Sequence, residues 1–226
     1  MARPLLDETF CIPAEARDLE GFRVWARSPR FPERGRLDYL GGDIEVDMSP
    51  EDLYTHGTLK IEIAALLHAL VTKSGTGVVF TDRTRISSPP ADLSVEPDVV
   101  AVLWRTLDSG RLREIPSAGE RPGRYIELEG APDLVVGIVS DGSVGKDLKR
   151  LPSFYAAAGV PELWVADARG SEIRFEIRAL DSGLYKKVEP NPDGWLMSPF
   201  LGLRVRLSRK RVHLDRGVYE LETQGN

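Results

Sequence analysis

The chain has a single cysteine, Cys11, so no intrachain disulfide can staple the fold. No Cys/His spacing of the kind that holds zinc occurs either. No apolar run approaches the roughly 20 residues that a membrane-spanning helix needs. Asp7 and Glu8 stand where a secretory leader would carry its apolar core, and a cytoplasmic protein is the expectation. An excess of positive charge is also missing. Thirty Lys and Arg against 35 Asp and Glu leave a formal net charge of −5, which argues against polyanion binding by bulk attraction. Internal repeats and low-complexity tracts are absent.

What is present is an ordinary globular composition, 42% hydrophobic and 29% charged over 226 residues, enough for one sizeable core. Positive charge is unevenly placed. Arg23, Arg27, Arg30, Arg34 and Arg36 cluster early, and Arg204, Arg206, Arg209, Lys210, Arg211, His213 and Arg216 cluster late. Each cluster reads either as solvated surface or as phosphate-backbone contacts offset by acids elsewhere.

Residues 1–36 hold four prolines and little sustained periodicity, which predicts an N-terminal arm with a short helix over Ala14 to Ala26. Leu37 to Met48 reads as a hairpin around Gly41-Gly42-Asp43. Leu59, Ile63, Leu66, Leu67 and Leu70 recur at helical steps, so a long amphipathic helix is expected over Thr55 to Thr72. Short strands follow at Val78–Thr81 and Arg83–Ile86, then one central strand over Leu93–Leu103. A polar, glycine-rich loop or lid with a short helix spans 104–124. Tyr125–Glu129 and Leu134–Val139 predict strands, Lys146–Ala158 a helix, and Glu162–Asp167 a buried strand. Arg174–Ile177, Tyr185–Val188, Leu201–Leu207 and Val218–Leu221 complete a β-rich tail. The fold class is α/β of mixed α+β type, a mixed central sheet with a helix on each face. One domain over 37–207 would carry 208–226 as a β tail of the same unit.

Three places could carry chemistry. Glu96-Pro97-Asp98 puts two acids at the polar end of a buried strand, where burial is costly unless a cation or a solvated position relieves it. Ser140 to Asp147, including Lys146, follows an apolar strand at once and reads as a helix cap or as a site. Glu62 sits beside the apolar stripe of the long helix, as a boundary residue or as a group pointing into a site. Gly137 interrupts Leu134-Val-Val-Gly-Ile-Val139, a position where glycine packs nothing.

Five stretches, in order, carry a resemblance: Met48-Ser-Pro, Thr55-His-Gly-Thr-Leu-Lys-Ile-Glu-Ile63, Ser94-Val-Glu-Pro-Asp-Val99, Gly130-Ala-Pro-Asp-Leu-Val-Val136 and Leu151-Pro-Ser-Phe-Tyr through Trp164-Val-Ala-Asp167. Together the chain resembles the Uma-type restriction endonuclease family of the PD-(D/E)XK nuclease superfamily. The resemblance runs from about Leu37 to Asp167 and continues loosely through the tail.

It implies a restriction-endonuclease-like core with a β-rich C-terminal extension, and Mg-dependent (or Mn-dependent) hydrolysis of DNA phosphodiester bonds. A hard cation held by carboxylates activates water for attack at phosphorus in such chemistry. Asp98 matches the acid of the Pro-Asp pair, Lys146 the lysine displaced onto the following helix, and Glu62 a helix acid near the site. Glu96 and Ile138, through its carbonyl, are the remaining metal-ligand candidates. The second metal-holding Glu falls on Gly137. Glu96, Asp141 and Glu62 are the acids that could stand in, though none shares its strand face and depth. The expectation is therefore an endonuclease impaired at Gly137. The alternatives are an inactive nuclease-fold protein that binds nucleic acid, and an interaction or homodimerisation module using the tail.

Overall fold

The computed structural model describes residues 11–117, 123–212 and 216–225. The end of the expected lid, 118–122, and His213 lie outside the described residues.

Among the described residues, two six-stranded sheets and one three-stranded sheet make up the β structure. The first sheet runs β2 (Asp43–Asp47), β1 (Arg36–Leu40), β5 (Leu93–Val95), β4 (Arg85–Ser88), β8 (Tyr125–Gly130), β7 (Leu112–Pro116). The second runs β12 (Leu184–Lys187), β11 (Arg174–Asp181), β10 (Glu162–Asp167), β9 (Leu134–Ile138), β6 (Val99–Leu103), β3 (Gly77–Thr81). Both are mixed: β4 and β8 are parallel, as are β9 and β10, and the other pairs are antiparallel. The third is β13 (Leu196–Ser198), β14 (Leu203–Arg211) and β15 (Gly217–Gln224).

The second sheet is covered on both faces, which is why β9, apart from Gly137, and the middle of β10 read as apolar runs. Val135, Val139, Leu163 and Val165 face Leu151 and Tyr155 of α4 (Leu151–Ala158). Leu134, Val136, Ile138, Trp164 and Ala166 face the opposite way, toward α2 (Thr58–Leu67) and the third sheet. The helical spacing of Leu59, Ile63 and Leu67 puts all three into that second layer. Wider turns, Leu53–Gly57 and His68–Thr72, extend α2 at its two ends, and the Asp52 side chain caps the start by accepting from the Tyr54 and Thr55 amides. Val205, Leu207, Tyr219 and Leu221 bury the inner face of the C-terminal strands in the same layer.

The expected central strand over Leu93–Leu103 is two strands in two sheets. β5 ends at Val95, β6 begins at Val99, and Glu96-Pro97-Asp98 crosses between them. Pro97 has no amide to give to a ladder, so the pairing has to break there. The expected loop over 104–124 contains α3 (Trp104–Asp108) and β7.

The N-terminal segment packs from Ala14 onward. α1 (Leu19–Ala26) places Phe22 and Trp25 in a cluster with Leu37 and Tyr39 of β1. Arg23 from α1 is buried against Glu127 and Glu129 of β8, its Nε 2.6 Å from the Glu127 carboxylate. Among the described residues no helix is long and apolar enough to cross a membrane.

Candidate functional site

The sheet-to-sheet crossing at Pro97 opens into a cleft of about 560 Å³, with Arg36, His56, Lys60, Asp98, Ser140 and Arg169 in its wall. Asp98 is buried at its floor, 5% exposed. Its main-chain N–H donates to the Val136 carbonyl at 3.2 Å, and its carboxylate accepts from the Ile138 N–H at 2.6 Å. These two bonds bracket Gly137 from either side. A Cβ built on Gly137 would meet no atom within 4 Å, although Leu134, Val135, Val136 and Ile138 around it are buried.

The other oxygen of Asp98 faces cations. His56 Nε2 is 3.4 Å from Oδ1, and the Arg36 guanidinium is 3.6 Å from it. Burial pushes the Asp98 carboxyl up, but the His56 bond, the Arg36 and His56 charges and the Ile138 amide outweigh it and hold the group below the usual carboxylate range. Burial works against the His56 imidazolium, yet Asp98 on Nε2 and Glu51 on Nδ1 raise its pKa above the ordinary value. With a carboxylate at each nitrogen, this ring is set as a donor at both ends. Lys60 stands next to it, held by Asp82 at 2.5 Å and Glu51 at 2.7 Å.

Lys146 turns to Asp38 rather than Asp98, with Nζ 2.9 Å from Oδ2. Asp38 also accepts from the Glu96 N–H at 2.9 Å and lies 3.5 Å from Arg36 Nε. Lys146 is thus one carboxylate away from the cleft floor. Glu96 turns into the first sheet, where its carboxylate binds Arg85 at 2.5 Å. Glu62 lies away from the cleft altogether and accepts from the Leu221 N–H at 2.9 Å, tying α2 to β15. Ile138, expected to offer its carbonyl, meets Asp98 through its N–H. Asp141 is at the cleft rim and contacts Arg169 at 3.3 Å. Asp98, Gly137 and Ile138 are therefore brought together and Glu96 shares the cleft wall with its carboxylate turned to Arg85, while Lys146 and Glu62 belong to neighbouring networks.

Arg36, Asp38, His56 and Lys60 escaped the sequence reading as site residues. Arg36 belongs to the early arginine cluster, which reads either as solvated surface or as phosphate-backbone contacts, and nothing in its spacing marks it out. His56 and Lys60 lie inside the quoted Thr55–Ile63 stretch, where a histidine and lysine four apart on one helical face were the available signal. Asp38 was visible as an acid between Leu37 and Tyr39 in an otherwise apolar strand.

The arginine clusters are mostly internally paired. Arg206 binds Glu222 at 2.8 Å, Lys210 pairs with Glu220, and Arg209 bonds the Ala168 and Gly170 carbonyls.

A profile of the family described as "Uma2: Putative restriction endonuclease" matches residues 19–211. The chain belongs to the Uma2 family. Four solved chains match its fold. One is a crystal structure of "a putative nuclease belonging to DUF820" from Anabaena variabilis, with a TM-score of 0.59 and 17% identity, covering 81% of this chain and 90% of that one. No curated protein matches. The restriction-endonuclease-like architecture expected from the sequence is thereby supported: mixed sheets, flanking helices and C-terminal strands.

Whether a divalent cation fits is decided by the donor set. Among the described residues no group of three or more His, Cys, Asp or Glu side chains is arranged to hold a metal ion. Asp98 is a buried carboxylate beside Gly137, and its oxygens already meet an amide, an imidazole and a guanidinium. These residues do not fit a resident divalent ion.

Asp147 gives a pH-dependent consequence. Burial pushes its carboxyl from 3.8 up to about 6, against the Ser143 hydroxyl and the charges of Lys146 and Arg36, with Asp98 adding to the rise. The unfolded chain releases this proton at lower pH than the folded one, so this group makes stability fall as pH rises from about 3.8 to about 6. Asp147→Asn should gain up to about 3 kcal/mol near pH 8 and almost nothing near pH 4. Denaturant unfolding at both pH values checks this; an equal effect at the two would refute it.

Proposed function

We propose that the cleft at Asp98 receives a nucleic-acid phosphodiester, and that this Uma2 chain is an endonuclease-type protein whose DNA hydrolysis is impaired. The observation carrying the reading is the open space at Gly137 beside a buried, ionised Asp98. The family relation suggests DNA as substrate and a divalent cation, magnesium or manganese, as cofactor. The second carboxylate that would share such an ion with Asp98 is replaced by hydrogen. Arg36, His56 and Lys60 can still orient anionic phosphate oxygens from the wall, but each is already paired with an acid. Binding therefore outlasts catalysis, which favours a nucleic-acid-binding protein as the second reading.

Nicking of supercoiled DNA with Mn²⁺ tests the first part, using Asp98→Ala as reference. The parent chain should cleave no faster than a few-fold above Asp98→Ala. Robust cleavage lost in Asp98→Ala would overturn the impairment. Duplex binding should weaken linearly in log–log form as salt rises. No binding at low salt would overturn both readings.

A further inference from the structure

The pocket under the cleft supplies cations of its own to its buried acids. Asp38 and Asp98 are buried carboxylates, 1% and 5% exposed, and such groups persist only when a cation or several hydrogen bonds compensate them. Arg36, reaching in from β1, lies between the two. One end of its guanidinium is 3.6 Å from Asp98, its Nε is 3.5 Å from Asp38, and its remaining amine donates to the Glu96 carbonyl. Lys146 completes Asp38 from the opposite side. His56 approaches Asp98 while Glu51 balances its other nitrogen. Three buried carboxylates, Asp38, Asp98 and Asp147, thus face two full cations; Asp147 is bonded to the Ser143 hydroxyl and its carboxyl is pushed up by burial, and the histidine carries its own acid.

The Arg36 Nε makes no directed hydrogen bond, so its hold on Asp38 is that of a charge rather than of a fitted donor. A divalent ion placed on Oδ1 of Asp98, the oxygen that His56 and Arg36 face, would stand against this guanidinium. We infer that Arg36 is the resident cation of this pocket, occupying by charge the position a divalent ion would take, so that the fold is complete and stable without metal. This stands on charge geometry alone and is independent of whether nucleic acid binds.

Thermal unfolding of the full chain, in EDTA and with Mn²⁺, tests it. The parent Tm should be the same in both. Asp98→Asn should lower Tm in EDTA by on the order of 10 °C, because it leaves Arg36 in the pocket without its partner. Arg36→Met, which frees Asp98, should gain a Mn²⁺-dependent rise in Tm that Arg36→Met/Asp98→Asn lacks; a purely structural role for Arg36 produces no such response to Mn²⁺. Three results would each overturn the inference. One is a higher Tm for Asp98→Asn in EDTA, the behaviour of an emptied cluster of repelling acids. Another is a Mn²⁺-dependent Tm in the parent that Asp98→Asn abolishes. The third is an Arg36→Met variant indifferent to Mn²⁺.

Discussion

Gly137→Glu is expected to raise Mn²⁺-dependent DNA cleavage by roughly 10³-fold over the parent chain, about 4 kcal/mol of transition-state stabilisation. The substitution meets no steric barrier, because a Cβ at this position has no neighbour within 4 Å. It meets no backbone barrier either, since Gly137 is not among the positive-φ glycines. Relieving the conformational freedom of a mid-strand glycine favours the folded state by up to about 1 kcal/mol. Charge acts the other way. A carboxylate added beside Asp98 is not matched by Arg36 and Lys146, so the variant should be less stable than the parent in EDTA and recover when Mn²⁺ is added. Activity and metal-linked stability should therefore appear together. If Gly137→Glu cleaves no faster than its Asp98→Ala double variant, the nuclease reading of the cleft fails.

The second large effect lies where α1 packs on the first sheet. Arg23→Ala should cost about 3–5 kcal/mol, seen as a fall in Tm of on the order of 10 °C. Arg23 is 4% exposed and joins α1 to Glu127, itself 2% exposed, and to Glu129. Removing it strands the Glu127 carboxylate, whose second oxygen has no hydrogen-bond partner even in the intact protein. Arg27 at 3.6 Å is a poor substitute, being half-buried and shared with Glu20. Arg23→Ala/Glu127→Gln should recover much of the loss, since the orphaned charge goes with its partner. If the single variant unfolds within 2 °C or so of the parent, α1 is not integral to the first sheet.

The sequence showed most strands of both sheets, but in the first it missed β7 and ran β5 on into β6, for a physical reason. β9 and β10 are buried on both faces, so their apolar runs announce themselves, and the leucine spacing of α2 does the same. The first sheet uses strands of three to six residues carrying buried polar groups such as Asp38, Arg85, Ser87, Ser94 and Glu127. Arg85, Ser87 and Ser94 bond one another across the sheet, while Asp38 and Glu127 are met by Lys146 and Arg23 from helical segments, and composition alone cannot distinguish them from surface. Arg85 shows the difficulty. It is 4% exposed, bonded to Glu96 and the Leu37 carbonyl, and stacked 5.2 Å from Phe22 and 5.1 Å from Phe31. In the site, Asp98 and Gly137 were legible because a motif marks one and a break in pattern marks the other. Arg36 and His56 become partners of Asp98, and Asp38 of Arg36 and Lys146, only through pairing between segments that lie far apart in the chain.

Pro97 separates two acids that answer to different halves of the molecule: Glu96 is fastened to Arg85 in one sheet, Asp98 to the Ile138 amide in the other. Proline holds its own φ nearly constant, so the floor between the sheets has little room to breathe, and the Asp98 and Ile138 amides should be among the slowest to exchange with solvent. The exposed rim, Ser49–Asp52 on one side and Asp141–Gly142 on the other, is not clamped in this way. A family built on this frame can change what it admits by rewriting the rim, while the floor keeps a fixed point of aim.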